Sequence, residues 1–236
     1  MSRIRGIVFD KDGTLIDFHA TWIGVARKLA LRAAGGDPVR ADMLLGQAGY
    51  NAATGHFASD SIFAAGTNAE VVELWYAGLD GEARRAMVRD FDDFAAREGA
   101  ASAVALPGVP EAVSTLRASG YRLGVATNDS TAGAERTLLA LGLAQMFDAA
   151  YGYDAVAAPK PAPDMIHAFA DMASLKPAEV AIVGDSRHDL QTGRAAGAGL
   201  IVGVLSGTGS RAALEPLADI VLDSAADLPG WLKGRG

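Results

Sequence analysis

Ile7-Val8-Phe9-Asp10-Lys11-Asp12-Gly13-Thr14-Leu15 is the stretch around which the rest of the sequence is organised. Its first three residues are apolar, which is typical of a buried strand. Two carboxylates one residue apart and a glycine follow directly. Two like charges that lie close repel each other, so one carboxyl should resist ionisation unless a cation lies between them. Taken alone, the segment fits a functional site or an acidic turn equally well, because Asp-Gly is a common turn pair.

Strand-like and helix-like patterns alternate from residue 104 to the C-terminus. Together with the first apolar run, they predict six strands at 4–9, 121–126, 147–151, 180–183, 200–204 and 219–222. Such alternation favours a parallel sheet with helices on both faces. Residues 17–103 show helical periodicity and no convincing strand. We therefore predict an α/β protein with a doubly wound parallel sheet. Its Rossmann-like catalytic core comprises residues 1–16 and 104–236, and residues 17–103 form an inserted small α-helical cap domain.

The composition excludes several classes of protein. The 236 residues are 50% hydrophobic and 21% charged, as in a globular rather than a disordered chain. The formal net charge of −7 argues against nucleic acid or an anionic membrane as a partner. Because there are no cysteines, disulfides, thiolate metal sites and a cysteine nucleophile are excluded. The N-terminus shows no signal peptide and no apolar run reaches membrane-spanning length, so we expect a cytoplasmic protein.

Polar residues follow the predicted strands at the points where the strands end. They are Asp10 and Asp12 after the first strand, Thr127 and Asn128 after the second, Lys160 in the loop after the third, Asp185 after the fourth and Asp189 just beyond it. Ligands of parallel sheets bind beyond the carboxyl ends of the strands, so these residues should converge. Oxygen-only ligands favour Mg²⁺. A carboxylate can also attack phosphorus to give an aspartyl-phosphate.

Four segments, in this order along the chain, resemble the four motifs of the haloacid dehalogenase superfamily. Asp10-Lys11-Asp12-Gly13-Thr14 resembles the first motif, Thr127 the second, Lys160 the third and Gly184-Asp185-Ser186-Arg187-His188-Asp189 the fourth. The helical insert resembles the cap domain of the first type in that superfamily. The sequence is most similar to the phosphoglycolate phosphatase-like branch.

The resemblance implies a role for each catalytic residue. Asp10 would be the nucleophile, and Asp12 would protonate the leaving alkoxide and then activate water. Thr127 would bind a phosphoryl oxygen, Asn128 would add a phosphate contact, and Lys160 would steady both Asp10 and the phosphoryl charge.

The resemblance also implies a magnesium site. Asp10, the backbone carbonyl of Asp12 and Asp185 would bind Mg²⁺. Asp189 would hold either a metal-bound water or Lys160. Lys11 replaces an apolar residue that is common between the two aspartates of the motif. We expect its side chain to point away from the site, because alternate positions of an extended segment face opposite ways, with contact to the cap as the alternative.

These features predict a Mg²⁺-dependent hydrolase of a small phosphorylated metabolite, with phosphoglycolate as one candidate substrate. Asp12 favours a phosphatase, because members of the superfamily that cleave carbon–halogen bonds lack this second aspartate. Two alternatives stay open: a phosphomutase similar to β-phosphoglucomutase, and a non-enzymic switch that is phosphorylated on aspartate. The sequence is compatible with a monomer or a homodimer.

Overall fold

The computed structural model describes residues 4–234, and a six-stranded sheet forms the centre of the fold. The strands are β1 (Gly6–Phe9), β2 (Tyr50–Asn51), β3 (His56–Phe57), β4 (Arg122–Ala126), β5 (Ala149–Tyr151), β6 (Val180–Gly184), β7 (Leu200–Val204) and β8 (Ile220–Leu222). The sheet has the order β5-β4-β1-β6-β7-β8, and all neighbouring strands pair in parallel. The predicted α/β fold with a doubly wound parallel sheet is confirmed.

Helices cover both faces of this sheet and form the insert. They are α1 (Phe18–Ala33), α2 (Pro38–Gln47), α3 (Ile62–Ala65), α4 (Asn68–Trp75), α5 (Gly81–Ser102), α6 (Val109–Ala118), α7 (Thr131–Ala140), α8 (Asp164–Ala173), α9 (Arg187–Ala196), α10 (Arg211–Leu214) and α11 (Leu228–Lys233). Single 3₁₀ turns occur at Ala144–Met146, Tyr153–Ala155, Pro177–Glu179 and Ala225–Asp227. Within residues 4–234, no helix combines the length and the apolar character that a membrane crossing requires.

Strand β1 lies in the middle of the sheet and is buried on both faces. Ile7 and Phe9 belong to the apolar cluster on one face, which includes residues of α6 and α7. Val8 points the other way and belongs to the cluster that includes Phe169 of α8. This alternation follows from the strand geometry, in which successive side chains face opposite sides. The run of apolar residues at 7–9 is therefore explained by two cores rather than one.

The insert packs around an apolar cluster of its own. Trp22, Leu45, Val72 and Phe91 are buried in this cluster and come from α1, α2, α4 and α5 respectively. The insert also contains the antiparallel hairpin β2–β3, which the sequence did not predict. Two-residue strands are too short to show an alternating pattern, and the turn is fixed locally, because the Asn51 side chain accepts from two following backbone amides.

The chain enters and leaves the insert side by side. The amide of Asp17 donates to the carbonyl of Val104 at 2.8 Å, and the amide of Leu106 donates to the carbonyl of Leu15 at 3.1 Å. The Asp17 side chain also caps α1 by accepting from the amide of Ala20. Both connections to the cap therefore start from one small patch beside the end of β1. The predicted division at residues 16/17 and 103/104 stays a prediction.

Candidate active site

The polar strand ends converge, as the sequence predicted, in a cleft between the sheet edge and the insert. The cleft has a free volume of about 50 Å³, and the insert is closed over the sheet edge by hydrogen bonds from Trp22 to Asp12 and from Asn128 to the Ala65 carbonyl. The cleft is lined by Asp10, Asp12, Phe18, Trp22, Phe63, Ala64, Ala65, Gly66, Asn68, Val71, Thr127, Asn128, Asp129, Lys160, Asp185, Ser186 and His188. Asp189, the seventh residue singled out in the sequence, lies directly beneath this surface and is fully buried.

Lys160 bridges two of these carboxylates. Its Nζ lies 2.6 Å from Asp10 Oδ1 and 2.6 Å from Asp189 Oδ1, and it donates to the carbonyl of Ala126 at 3.0 Å. Burial alone would lower the pKa of Lys160, but the charges of Asp10 and Asp189 outweigh this effect and raise it. The amine is therefore a fixed ammonium group whose three donors are all used.

Asp189 is aimed at Lys160 by the start of helix α9. Ser186 caps this helix and accepts from the Asp189 amide at 3.3 Å, while Asp189 Oδ2 accepts from the Ser186 amide at 2.9 Å and from its hydroxyl at 2.6 Å. This reciprocal capping box fixes the carboxylate. Only Oδ1 is left over, and Lys160 takes it. Of the two partners predicted for Asp189, the geometry therefore provides Lys160.

Asp10, Asp185 and Asp189 form a compact group of carboxylates. One oxygen from each lies within 4.8 Å of the others. Burial raises the pKa of Asp10 to about 7 against the opposing charge of Lys160, and burial also raises the pKa of Asp185. Three buried carboxylates with one ammonium group leave negative charge uncompensated, and the ligands are all oxygens, so the group fits a hard divalent cation. The Asp12 side chain lies outside this group.

The loop after β7 holds Asp185 in place. The amide of Thr208 donates to Asp185 Oδ2 at 2.8 Å, and Thr14 Oγ1 lies 3.4 Å from Oδ1. A Cβ atom at Gly207 would overlap the Asp185 carboxylate, so this position requires glycine. Nothing in the sequence pattern at 207–209 indicated that this turn supports the site.

Lys11 does not point away from the site, and that prediction was wrong. Its side chain is fully buried, with Nζ 2.6 Å from Asp12 Oδ2 and 3.2 Å from Asp129 Oδ2. The prediction assumed an extended segment, but β1 ends at Phe9 and the chain turns, with the amide of Leu15 donating to the Lys11 carbonyl at 2.9 Å. Burial opposes the charge, but Asp12 and Asp129 outweigh it and raise the pKa of Lys11.

Trp22 of the insert completes the surroundings of Asp12. Its indole Nε1 donates to Asp12 Oδ1, and its ring lies 4.9 Å from Lys11 Nζ. Asp12 is therefore held from two directions, by an ammonium group from the core and by an indole from the insert. Helical spacing places Trp22 among apolar neighbours, so its sequence context gave no sign of this contact.

A hydrogen-bonded chain continues from Asp129 into the insert. Asn68 Nδ2 donates to Asp129 Oδ1 at 3.2 Å and to Asp92 Oδ1 at 2.9 Å, and the Tyr153 hydroxyl donates to Asp92 Oδ2 at 2.8 Å. Burial raises the pKa of Asp92 to about 6 and also raises that of Asp129, which Lys11 opposes. Sequence reasoning missed Asp129, Asn68 and Asp92. The one available indication was the pair of opposite charges at Lys11 and Asp129, each of which lies beside a motif residue and could therefore form an ion pair at the site.

Asn128 ties the Lys160 loop to the insert. Its Oδ1 accepts from the Lys160 amide at 3.1 Å, and its Nδ2 donates to the carbonyls of Lys160 at 3.1 Å and Ala65 at 2.9 Å. A ring nitrogen of His188 also lies 3.2 Å from the Ala65 carbonyl. The predicted phosphate contact of Asn128 stays a prediction. Thr127 is buried at the cleft, and its Oγ1 accepts from the amide of Asp129 at 3.1 Å.

Comparison with known families identifies most of the chain. A model of haloacid dehalogenase-like hydrolases matches residues 4–197. The phosphoglycolate phosphatase of Salmonella typhimurium is 31% identical over 242 residues, which cover 97% of this chain and 92% of that protein. The phosphoglycolate phosphatase of Yersinia pseudotuberculosis is 32% identical over 199 residues, which cover 82% of this chain and 78% of that protein.

Solved structures share the fold. A haloacid dehalogenase-like hydrolase from Bacteroides fragilis superposes with a TM-score of 0.73 at 21% identity, covering 96% of this chain and 100% of that chain. A predicted phosphoglycolate phosphatase from Haemophilus somnus superposes with a TM-score of 0.72 at 22% identity, covering all of both chains. At these identities the similarity establishes the architecture and not the substrate.

Proposed function

Because the chain belongs to the haloacid dehalogenase-like hydrolases, we propose that this phosphatase hydrolyses a small phosphomonoester through a phosphorylated Asp10. The observation that carries the proposal is the buried bridge of Lys160 between Asp10 and Asp189, with Asp185 beside it. An ammonium group in this position neutralises charge that would otherwise repel an anionic phosphoryl group from an anionic nucleophile.

Asp10 is proposed to attack phosphorus. Lys160 holds its Oδ1 and so fixes the orientation of the carboxylate, which leaves Oδ2 for the attack. The bond between phosphorus and the ester oxygen breaks as the bond to Oδ2 forms. Thr127 is proposed to bind a phosphoryl oxygen, and its buried position at the cleft supports this role.

Asp12 is proposed to move the protons of both half-reactions. It first gives a proton to the departing alkoxide, and it then takes a proton from the water that attacks the phosphorylated Asp10. That second attack breaks the bond between Asp10 and phosphorus and releases inorganic phosphate. Lys11 and Trp22 support the role because they fix the position of Asp12: Lys11 Nζ contacts both carboxylate oxygens, and Trp22 Nε1 donates to Oδ1.

Mg²⁺ is the proposed cofactor, and the compact group of buried carboxylates supports it. Asp10, Asp185 and the backbone carbonyl of Asp12 would hold the ion, and Asp189 would act through Lys160. When bound, Mg²⁺ supplies a positive charge that offsets the charge of the phosphoryl group. The proposed partner is one small phosphorylated metabolite, and the names of the relatives make phosphoglycolate the first compound to test.

The test is a panel of small phosphomonoesters, assayed for released phosphate with and without Mg²⁺. We expect Mg²⁺-dependent release from at least one compound. Asp10→Asn should lower kcat at least about a thousandfold while the protein stays folded, because an amide cannot replace the nucleophile. Asp42→Asn, an exposed change in the insert, serves as the control.

Three results would contradict the proposal. Wild-type turnover in Asp10→Asn would exclude Asp10 as the nucleophile. Isomerised sugar phosphate without released phosphate would indicate the mutase. Stable phosphorylation without turnover would indicate the switch.

A further inference from the structure

The wall that the insert contributes to the cleft has no positive charge. Among the lining residues in the described part of the chain, the insert provides Phe18, Trp22, Phe63, Ala64, Ala65, Gly66, Asn68 and Val71. Two of these side chains can donate hydrogen bonds, and both already donate to carboxylates: Trp22 to Asp12, and Asn68 to Asp92 and Asp129. A substrate group beyond the phosphoryl group therefore meets aromatic rings and methyl groups.

The two lysines at the sheet edge are also fully used. Within residues 4–234, five buried or half-buried carboxylates surround the cleft: Asp10, Asp12, Asp129, Asp185 and Asp189. Lys160 and Lys11 each lie between two of them. His188 lines the cleft, and its Nδ1 lies 3.2 Å from the Ala65 carbonyl of the insert. A divalent cation would be matched by the phosphoryl dianion, so it leaves no charge for a second anionic group.

The closed cleft also limits the size of the substrate. Asn128 and His188 both bind the Ala65 carbonyl, which holds α3 down over the sheet edge. The free volume of the cleft is about 50 Å³, room for a few water-sized groups, which favours a small substrate.

We propose that this site selects phosphomonoesters whose leaving group is small and uncharged, and that it discriminates against a second anion such as a carboxylate. This inference rests on the phosphatase function proposed above. A carboxylate would lose its hydration on entering the cleft and would find no free lysine or arginine among the lining residues to replace it. It would also face the carboxylates of Asp12 and Asp129. Phe63 and Ala64 of the α3 segment would set this preference, because they line the cleft beyond the sheet edge.

The test compares phosphoglycolate with its amide, the phosphate ester of glycolamide. The two compounds have the same shape and number of heavy atoms and differ in the charge of one group. We expect kcat/KM to be higher for the amide by about tenfold or more, because like charges repel in a site without a compensating cation. Equal or better hydrolysis of phosphoglycolate would overturn the inference alone. If neither compound nor any member of the phosphomonoester panel is hydrolysed, the phosphatase function is overturned as well.

A substitution at Ala64 tests the wall directly. Ala64 lines the cleft and is partly exposed, so a longer side chain has an exit to solvent. Ala64→Lys should shift the ratio of kcat/KM toward phosphoglycolate by about tenfold, because it supplies the missing cation. Ala64→Gln, which is uncharged, should leave the ratio near the wild-type value. An unchanged ratio in a folded Ala64→Lys protein would contradict the assignment, and the comparison in the wild-type protein does not depend on this variant.

Discussion

Two buried lysines lie at the same sheet edge, and each bridges a pair of carboxylates. Lys160 lies between Asp10 and Asp189, at 2.6 Å from an oxygen of each. Lys11 lies between Asp12 and Asp129, at 2.6 Å and 3.2 Å. The chemistry is the same in both places, since burial of an ammonium group is tolerated only with such compensation. The two bridges differ in which part of the chain completes them.

The Lys160 bridge is completed by residues outside the insert. Its carboxylates follow β1 and begin α9, and the capping box of Ser186 fixes Asp189 without help from the insert. The Lys11 bridge continues through Asn68 to Asp92, and Trp22 of the insert donates to Asp12 Oδ1. The first bridge is therefore set whether or not the insert is closed, whereas closure completes the second. This difference separates the proposed nucleophile from the proposed proton donor.

The largest effect is expected from removing the first bridge. Lys160→Met should lower kcat by about a thousandfold, because the phosphoryl charge and Asp10 lose their shared cation. The insert should still close, since its contacts with Asp129 and Tyr153 remain. Steady-state kinetics with phosphate detection measures the change, and Lys176→Met, an exposed lysine, is the control. A kcat close to that of the wild type would show that catalysis does not depend on Lys160, and the proposed difference between the two lysines would be wrong.

A smaller effect is expected from the second bridge. Lys11→Met should lower kcat by about ten- to a hundredfold with little change in KM, because Trp22 still holds Asp12. It should also lower the free energy of unfolding by about 3 kcal/mol, since Asp129 is left buried without its cation.

The double variant Lys11→Met/Asp129→Asn separates positioning from stability. It should recover most of the lost stability, because no unpaired charge remains at residue 129, but it should not recover kcat. Chemical denaturation and kinetics on the three proteins measure both quantities. Recovery of kcat together with stability would mean that Lys11 has only a structural role.

The contrast between the two bridges also explains what the sequence could predict. Asp10 and Asp185 follow buried apolar runs, and Lys160 lies in the loop after another predicted strand; parallel strands bring such ends to one edge, so their convergence was predictable. All six strands of the sheet were predicted for the same reason, since each is a short apolar run between helical patterns. The bridge that depends only on the sheet was thus within reach of sequence reasoning.

The second bridge was not predictable, because it depends on how the insert packs. Asn68 and Asp92 lie 61 and 37 residues before Asp129, and no local pattern relates α4 or α5 to the sheet edge. The direction of the Lys11 side chain was predicted wrongly, because the turn that follows β1 ends the alternation of side chains. The hairpin β2–β3 was missed since its strands have only two residues each. Tertiary packing decides these features, and periodicity does not report it.

The smallest effect is expected at the outer end of the second bridge, where Asp92 accepts a hydrogen bond from Tyr153. Burial raises the pKa of Asp92 from 3.8 to about 6, against the hydrogen bonds from Asn68 and Tyr153. A carboxyl whose pKa is higher in the folded state stabilises the fold below pH 4, and this contribution is lost as the pH rises through 6. Asp92→Asn cannot ionise, and its amide can keep both hydrogen bonds because the Tyr153 hydroxyl can also accept.

The variant Asp92→Asn should therefore lose less stability than the wild type between pH 4.5 and pH 7.5, by about 1 kcal/mol after allowance for partial exposure. Denaturant unfolding at the two pH values measures this difference, and comparing the two proteins cancels the titration of the other carboxyls. Asp93→Asn changes the exposed neighbouring residue on the same helix and should follow the wild type. If the wild type and Asp92→Asn lose equal stability between the two pH values, Asp92 does not belong to the Lys11 bridge, which then ends at Asp129. Both bridges would then consist only of residues outside the insert.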